Sequence, residues 1–159
     1  MIENKGNWKQ VTNIKITAFD LDGNVKDVQE IKNLITTVGL NMVRDALNNV
    51  ATVADCMIKY VEVGTGNTAL ALTDVALDAY LFRKIMTSRS TPADGQTKCV
   101  CYIAPAEAVG ALKEIGWWAG AAAGAGQATG IMISRVLYSR NKTALESLQI
   151  ERTDTIAEA

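Results

Sequence analysis

The sequence predicts a mainly β protein: an antiparallel, jelly-roll-like β-sandwich carrying one α-helix in its N-terminal half. Three observations predict it. The stretch Thr12–Asp20 alternates with a period of two, as a strand with one face against a core does, and several further short apolar-rich stretches follow it. Turn chemistry built from Gly, Asn, Asp and Pro recurs between them. One window alone, beginning near Asn33, has a clear helical period, so strands follow strands instead of alternating with helices as a parallel sheet requires. At 159 residues one domain, 1–159, is expected, long enough to bury about 70% of the surface its unfolded form exposes.

The elements follow in order. An N-terminal hairpin occupies 1–32: Ile14, Ile16 and Ala18 share one face of a strand over Thr12–Asp20, Asp22-Gly23-Asn24 turns the chain, and Val25–Ile31 returns. The helix is expected over 33–49, with Asn33 as N-cap and Ile35, Met42, Val43, Ala46 and Leu47 laid against a sheet. Sandwich strands fill 57–156. Met57–Val63 comes first, ended by Gly64-Thr65-Gly66, and a short helical turn follows from Thr73 to Asp78. Arg83–Arg89 and Lys98–Ile103 flank the turn Pro92-Ala93-Asp94-Gly95. Leu112–Trp118, Gly130–Tyr138 and Leu145–Thr153 complete the set. Between the first two of these lies Ala119–Gly130, twelve uncharged residues with four Gly and six Ala, expected to be mobile or packed on a neighbour.

Composition excludes much chemistry. With 16 Lys+Arg against 17 Asp+Glu the net charge is −1, which provides no field for nucleic acid or an anionic membrane. The absence of His removes the usual general base near neutral pH, the commonest zinc ligand and every Ser-His or Cys-His nucleophile pair. Cys99 and Cys101, two apart on a strand, share one face and read with Cys56 as reduced core thiols that bind no metal. No stretch approaches the roughly 20 apolar residues of a membrane span, and the polar start MIENKGNWKQ is not expected to be a signal peptide. The chain is expected to fold in a reducing cytoplasm.

Several motifs imitate active sites. Phe19-Asp20-Leu21-Asp22-Gly23-Asn24 resembles the first motif of haloacid-dehalogenase-type phosphatases, in which the first Asp attacks phosphorus and the second protonates the leaving group. The phosphate-holding Lys, the downstream acidic pair for magnesium and the alternating helices are not in evidence, so a hairpin turn is preferred. The same residues do not complete an EF-hand loop. Gly124-Ala125-Gly126 leads into a strand and Gly64-Thr65-Gly66 lacks a following Lys-Ser/Thr, so neither makes a phosphate cradle. No catalytic, cofactor-binding or metal-ligating residue is therefore assigned. Trp117 and Trp118, adjacent on a strand, should point to opposite faces, which makes one of them a surface residue fit for an interface or, less plausibly, for stacking on a sugar.

A succession of landmarks resembles a family. Asn33-Leu34-Ile35-Thr36-Thr37-Val38-Gly39-Leu40, then Tyr60-Val61-Glu62-Val63-Gly64-Thr65-Gly66-Asn67-Thr68-Ala69, then Thr73-Asp74-Val75-Ala76-Leu77, then Lys113-Glu114-Ile115-Gly116-Trp117-Trp118-Ala119-Gly120 are similar, in that order, to the small structural proteins of tailed bacteriophages, many of them tail-fibre or tail-associated. The resemblance covers about residues 30 to 155. It implies a virion component made in the bacterial cytoplasm, mostly β and without a catalytic site, that assembles with itself and with other virion proteins and attaches to the tail. Members commonly carry Phe where this chain has its Trp pair and often continue into receptor-binding regions. Ending at Ala159 leaves a tail adaptor or a capsid-decoration protein as the expectation rather than a full fibre, with host glycan as a remote partner. Strands apolar on both faces, such as Ile131–Tyr138, suggest that a second protein surface covers one side. The contact is expected to involve Trp117, Trp118, Gly120, Gly124, Gly126 and Tyr138, in a homo-oligomer for which a trimer is preferred.

Overall fold

A computed structural model of the chain describes residues 8–48 and 55–158 and shows an antiparallel β-sandwich with a single helix. Its elements are β1 (Trp8–Phe19), β2 (Val25–Lys32), β3 (Leu34–Ile35), α1 (Thr37–Leu47), β4 (Ile58–Gly64), β5 (Tyr80–Ile85), β6 (Ser88–Ser90), β7 (Gln96–Ile103), β8 (Gly110–Ala119), β9 (Ile131–Lys142) and β10 (Ser147–Glu158). The first sheet has the order β2-β1-β10-β7-β6 and the second β3-β9-β8-β4-β5. The N-terminal hairpin is thus built into the first sheet, where β1 pairs along its whole length with β10, from Trp8 opposite Glu158 to Phe19 opposite Ser147. Residues 80–90, expected as one strand from Arg83, cross instead from the edge of the second sheet to the edge of the first, with β6 alone pairing β7.

The core lies between the sheets. Ile14, Ile16 and Ala18 of β1, Cys99, Cys101 and Ile103 of β7, and Leu148 and Ile150 of β10 meet Val61 and Val63 of β4, Ile115 and Trp117 of β8, and Val136 and Tyr138 of β9. Cys99 and Cys101 share the inward face as their spacing requires.

The helix differs from expectation in start and in buried face. Leu34 and Ile35 pair with Arg135 and Ser134 as a strand, so Asn33 caps nothing and the helix begins at Thr37. Thr36 is the cap: its Oγ1 accepts the Gly39 N–H at 3.1 Å and donates to the Met132 carbonyl at 2.6 Å, fastening the helix start to β9. Gly39 and Met42 face the sheet, whereas Leu47 and Ala46 lie exposed and Val43 is half-buried. Glycine decides this. A Cβ on Gly39 would stand 2.5 Å from the Ile133 carbonyl oxygen, so the helix approaches β9 backbone to backbone along its smallest stripe instead of its leucine stripe.

The strand register slips between Trp117 and Trp118, which oppose Ser134 and Met132, so that Ile133 is an extra residue, a β-bulge, on β9. The outer face of the second sheet is also covered, by the chain's own loops 65–79 and 120–130. Residues 73–78 form no helix but belong to the first of these loops, with a turn closed by the Asp74 N–H on the Ala71 carbonyl.

Candidate functional site

Three of the four landmark segments of the sequence converge on one buried network behind the second sheet. Glu114, on the face of β8 opposite Ile115, has no exposed surface. Its Oε1 accepts the N–H groups of Gly66 at 3.1 Å and Ala79 at 2.7 Å, and its Oε2 accepts that of Asp78 at 3.0 Å. The Arg135 guanidinium completes the set: Nε bonds Glu114 at 2.8 Å, Nη1 bonds Asp74 at 2.9 Å and Nη2 bonds the Thr68 hydroxyl at 3.1 Å. Burial works against the Arg135 charge, but the two carboxylates outweigh it and raise its pKa above the ordinary value. Gly66 is needed for close approach, since a Cβ there would lie 2.4 Å from that of Asp78. The Gly64-Thr65-Gly66 turn therefore directs a backbone donor at an internal carboxylate, with no phosphate cradle formed.

A second network holds the Ala/Gly loop. Arg83 of β5 and Glu62 of β4 pair at 2.7 Å with both side chains 1% exposed. Arg83 also donates to the carbonyls of Gly124 at 2.9 Å and Thr129 at 2.8 Å, while Glu62 accepts the Ala128 N–H at 2.8 Å. The guanidinium lies 4.5 Å from the Tyr60 ring centroid and 5.2 Å from that of Trp118. The loop expected to be mobile or seated on a neighbour is thus tied to its own sheet by two buried charges.

This corrects the expected interface residues. Trp117 and Trp118 do point to opposite faces, but both are buried, one in the core and the other beneath Arg83 and the loop, and the indole Nε1 of Trp118 has no hydrogen-bond partner. Tyr138 is a core residue whose hydroxyl pKa burial pushes up to about 12. Gly120 is buried and Gly124 half-buried, and of the six only Gly126 is exposed. The face read as needing a second protein is covered from within, because two loops fold back over the strands.

Between the sheets Arg152 and Asp154 form a third pair. Arg152 Nε and Nη2 reach the two carboxylate oxygens at 2.7 and 2.8 Å, and its third donor bonds Ser134. The guanidinium stands 5.6 Å from the Trp117 ring centroid. Asp154 also receives Gln10 at 3.0 Å and Thr12 at 2.5 Å; burial alone would raise its pKa, but these bonds and Arg152 hold it below the usual range. Beside the pair opens a cavity of about 260 Å³ under α1, lined by Met42, Val43, Cys99 and Ile133, with Arg89 at its rim. The thiols are poor nucleophiles here, since burial raises the pKa of Cys56 and Cys99 and takes Cys101 to about 12.

At the opposite end, Asp20 is occupied by its own turn. Its Oδ1 accepts the Asp22 N–H at 3.0 Å and the Asn24 N–H at 2.8 Å, and its Oδ2 accepts Asn24 Nδ2 at 3.1 Å. The Asn24 side-chain bond, followed by the backbone bonds, lowers its pKa. The DxDG segment is an Asx-type turn with Gly23 at φ +86°.

Sequence reasoning missed the residues that organise the molecule: Glu62, Arg83, Glu114, Arg135, Arg152 and Asp154. A signal existed. Glu62, Glu114 and Arg135 are charges beside apolar strand residues, as in Val61-Glu62-Val63 or Ser134-Arg135-Val136, a pattern that otherwise marks a solvent face, whereas Arg152 and Asp154 lie in the polar run Glu151-Arg152-Thr153-Asp154-Thr155, which carries no such signal. Compared with protein-family models, curated proteins and solved structures, the chain matches none.

Proposed function

We propose that this chain is a non-enzymatic structural protein of a tailed-bacteriophage virion, which assembles with itself and attaches to the tail. One observation carries the reading. Three of the four segments by which the chain resembles small phage structural proteins, those around Gly66, Asp74 and Glu114, meet in the Glu114–Arg135 network. Their contacts fasten loop 65–79 to β8 and β9. The carboxylate of the phosphatase-like motif serves a turn, and the thiols are shifted away from reactivity. Sugar stacking on Trp117 or Trp118 is disfavoured, because both rings are buried.

Antibody labelling of intact particles of the phage that encodes the chain tests the reading. Label at the tail is the expected result. Label distributed over the head instead supports a capsid-decoration protein, and particles free of label overturn the virion assignment.

A further inference from the structure

The two ends of the sandwich are unlike and complementary. Gln10 and Asp20 mark them on β1 and its turn, about 33 Å apart at the rise of an extended strand. At the Asp20 end the β1–β2 turn presents Leu21, 62% exposed, between the carboxylates of Asp20 and Asp22. The Asp20 hydrogen bonds make this tip rigid, and neither carboxylate pairs with a cation among the described residues. At the Gln10 end lies the cavity under α1, with an apolar floor of Met42, Cys99 and Ile133 and a mouth edged by the exposed side chains of Leu40, Met57 and Ile156.

Among the described residues the charges near the mouth leave one positive in excess. Arg152 pairs with Asp154, Lys59 with Asp55 at 2.7 Å and Arg44 with Asp45 at 2.6 Å. Arg89 pairs with no carboxylate among the described residues, its Nε and Nη2 both resting on the Ile58 carbonyl. Lys59 and Arg89 share the single carboxylate of Asp55, whose pKa both lower, so the group keeps one positive charge in excess. An apolar cavity beside that excess fits an aliphatic side chain flanked by carboxylates, and this chain carries that arrangement at its other end.

We propose that the cavity under α1 receives Leu21 of a second copy of this chain, with Asp22 of that copy opposite Arg89. The contact is heterologous: each copy offers a knob at one end and a socket at the other, so repetition gives a closed ring or an open stack, never a two-fold dimer. The inference rests on the self-assembly reading above and supplies its contact.

Sedimentation of the purified chain over 1 to 200 µM, with Leu21→Asp as knob variant and Leu40→Asp and Arg89→Glu as socket variants, tests it. The wild type should form species larger than dimers, and each variant should weaken association at least ten-fold while keeping its circular-dichroism melt. A knob variant mixed with a socket variant retains one working pair, so the mixture should give dimers that grow no further. Asp22→Lys combined with Arg89→Glu should restore association. A monomeric wild type at 200 µM, oligomers indifferent to all three variants, or a mixture that stays monomeric would each overturn the contact. Labelled particles together with a monomeric protein would sink this contact and leave the virion reading standing, whereas unlabelled particles with a head-to-tail polymer would do the reverse.

Discussion

Glu114, which has no exposed surface, accepts three backbone N–H groups and pairs with Arg135. Replacing Glu114 leaves Arg135 with Asp74 alone and weakens the bonds of three buried amides, which costs about 1–3 kcal/mol. Glu114→Gln should therefore lower stability by that order in urea unfolding, while Leu47→Asp, on the exposed face of α1, should stay within about 0.5 kcal/mol of wild type. A pH effect belongs to Glu146. Arg140 bonds its two oxygens at 2.9 and 2.7 Å and Lys26 adds another bond at 2.9 Å, which together hold its pKa at about 2 against an ordinary 4.5. The folded chain then binds fewer protons than the unfolded one in that interval, so the stabilisation is full above pH about 4.5 and is lost as pH falls toward 2. Glu146→Gln should flatten this part of the acid limb in thermal melts recorded against pH. An unchanged slope would place the acid sensitivity elsewhere.

Among elements, α1 shows how propensity yields to packing. Alanine at position 39 would favour an isolated helix by about 1 kcal/mol. Here its Cβ would meet the Ile133 backbone at 2.5 and 2.8 Å, where no flexible side chain can give way. Gly39→Ala should thus destabilise the protein despite the gain in helix propensity, and Met42→Ala should cost about 2–4 kcal/mol through the cavity it leaves. Both are read from denaturant midpoints, and a Gly39→Ala protein more stable than wild type would mean that α1 does not sit on the bulge of β9. The Ala/Gly loop yields in the same way. Its composition suggests a mobile linker, yet Arg83 and Glu62 bind three of its backbone groups. Arg83→Ala should release it, giving faster proteolysis within 120–130 and a red shift of tryptophan emission as Trp118 meets water.

For the molecule as a whole, the second sheet is a middle layer, with the first sheet on one side and loops 65–79 and 120–130 on the other. Loop amides usually exchange quickly, but those of Gly66, Asp78, Ala79 and Ala128 end on buried carboxylates. Hydrogen exchange should find these four protected nearly as well as the strands, and Glu114→Gln should lower protection at the first three while leaving Ala128 slow. Fast exchange at all four in the wild type would contradict the layered arrangement. The second sheet thus has both faces covered, whereas the first exposes Val11, Val28 and Tyr102 on its outer face; Leu21 projects at one end of the sandwich and the cavity under α1 lies at the other.

Period-two alternation in β1, apolar runs bounded by turn chemistry and a lone helical window were enough to indicate the sandwich, because strand and turn preferences are set by local sterics. The inward pairing of Cys99 and Cys101 was legible for the same reason. What lies on the outer face of the second sheet was not. A strand reads alike whether its charged residues meet water or a loop from far along the chain, and Glu114 reaches Gly66 across 48 residues of sequence. The start of α1, the burial of both tryptophans and the tethering of the Ala/Gly loop were likewise decided only in three dimensions, by contacts that no local pattern encodes.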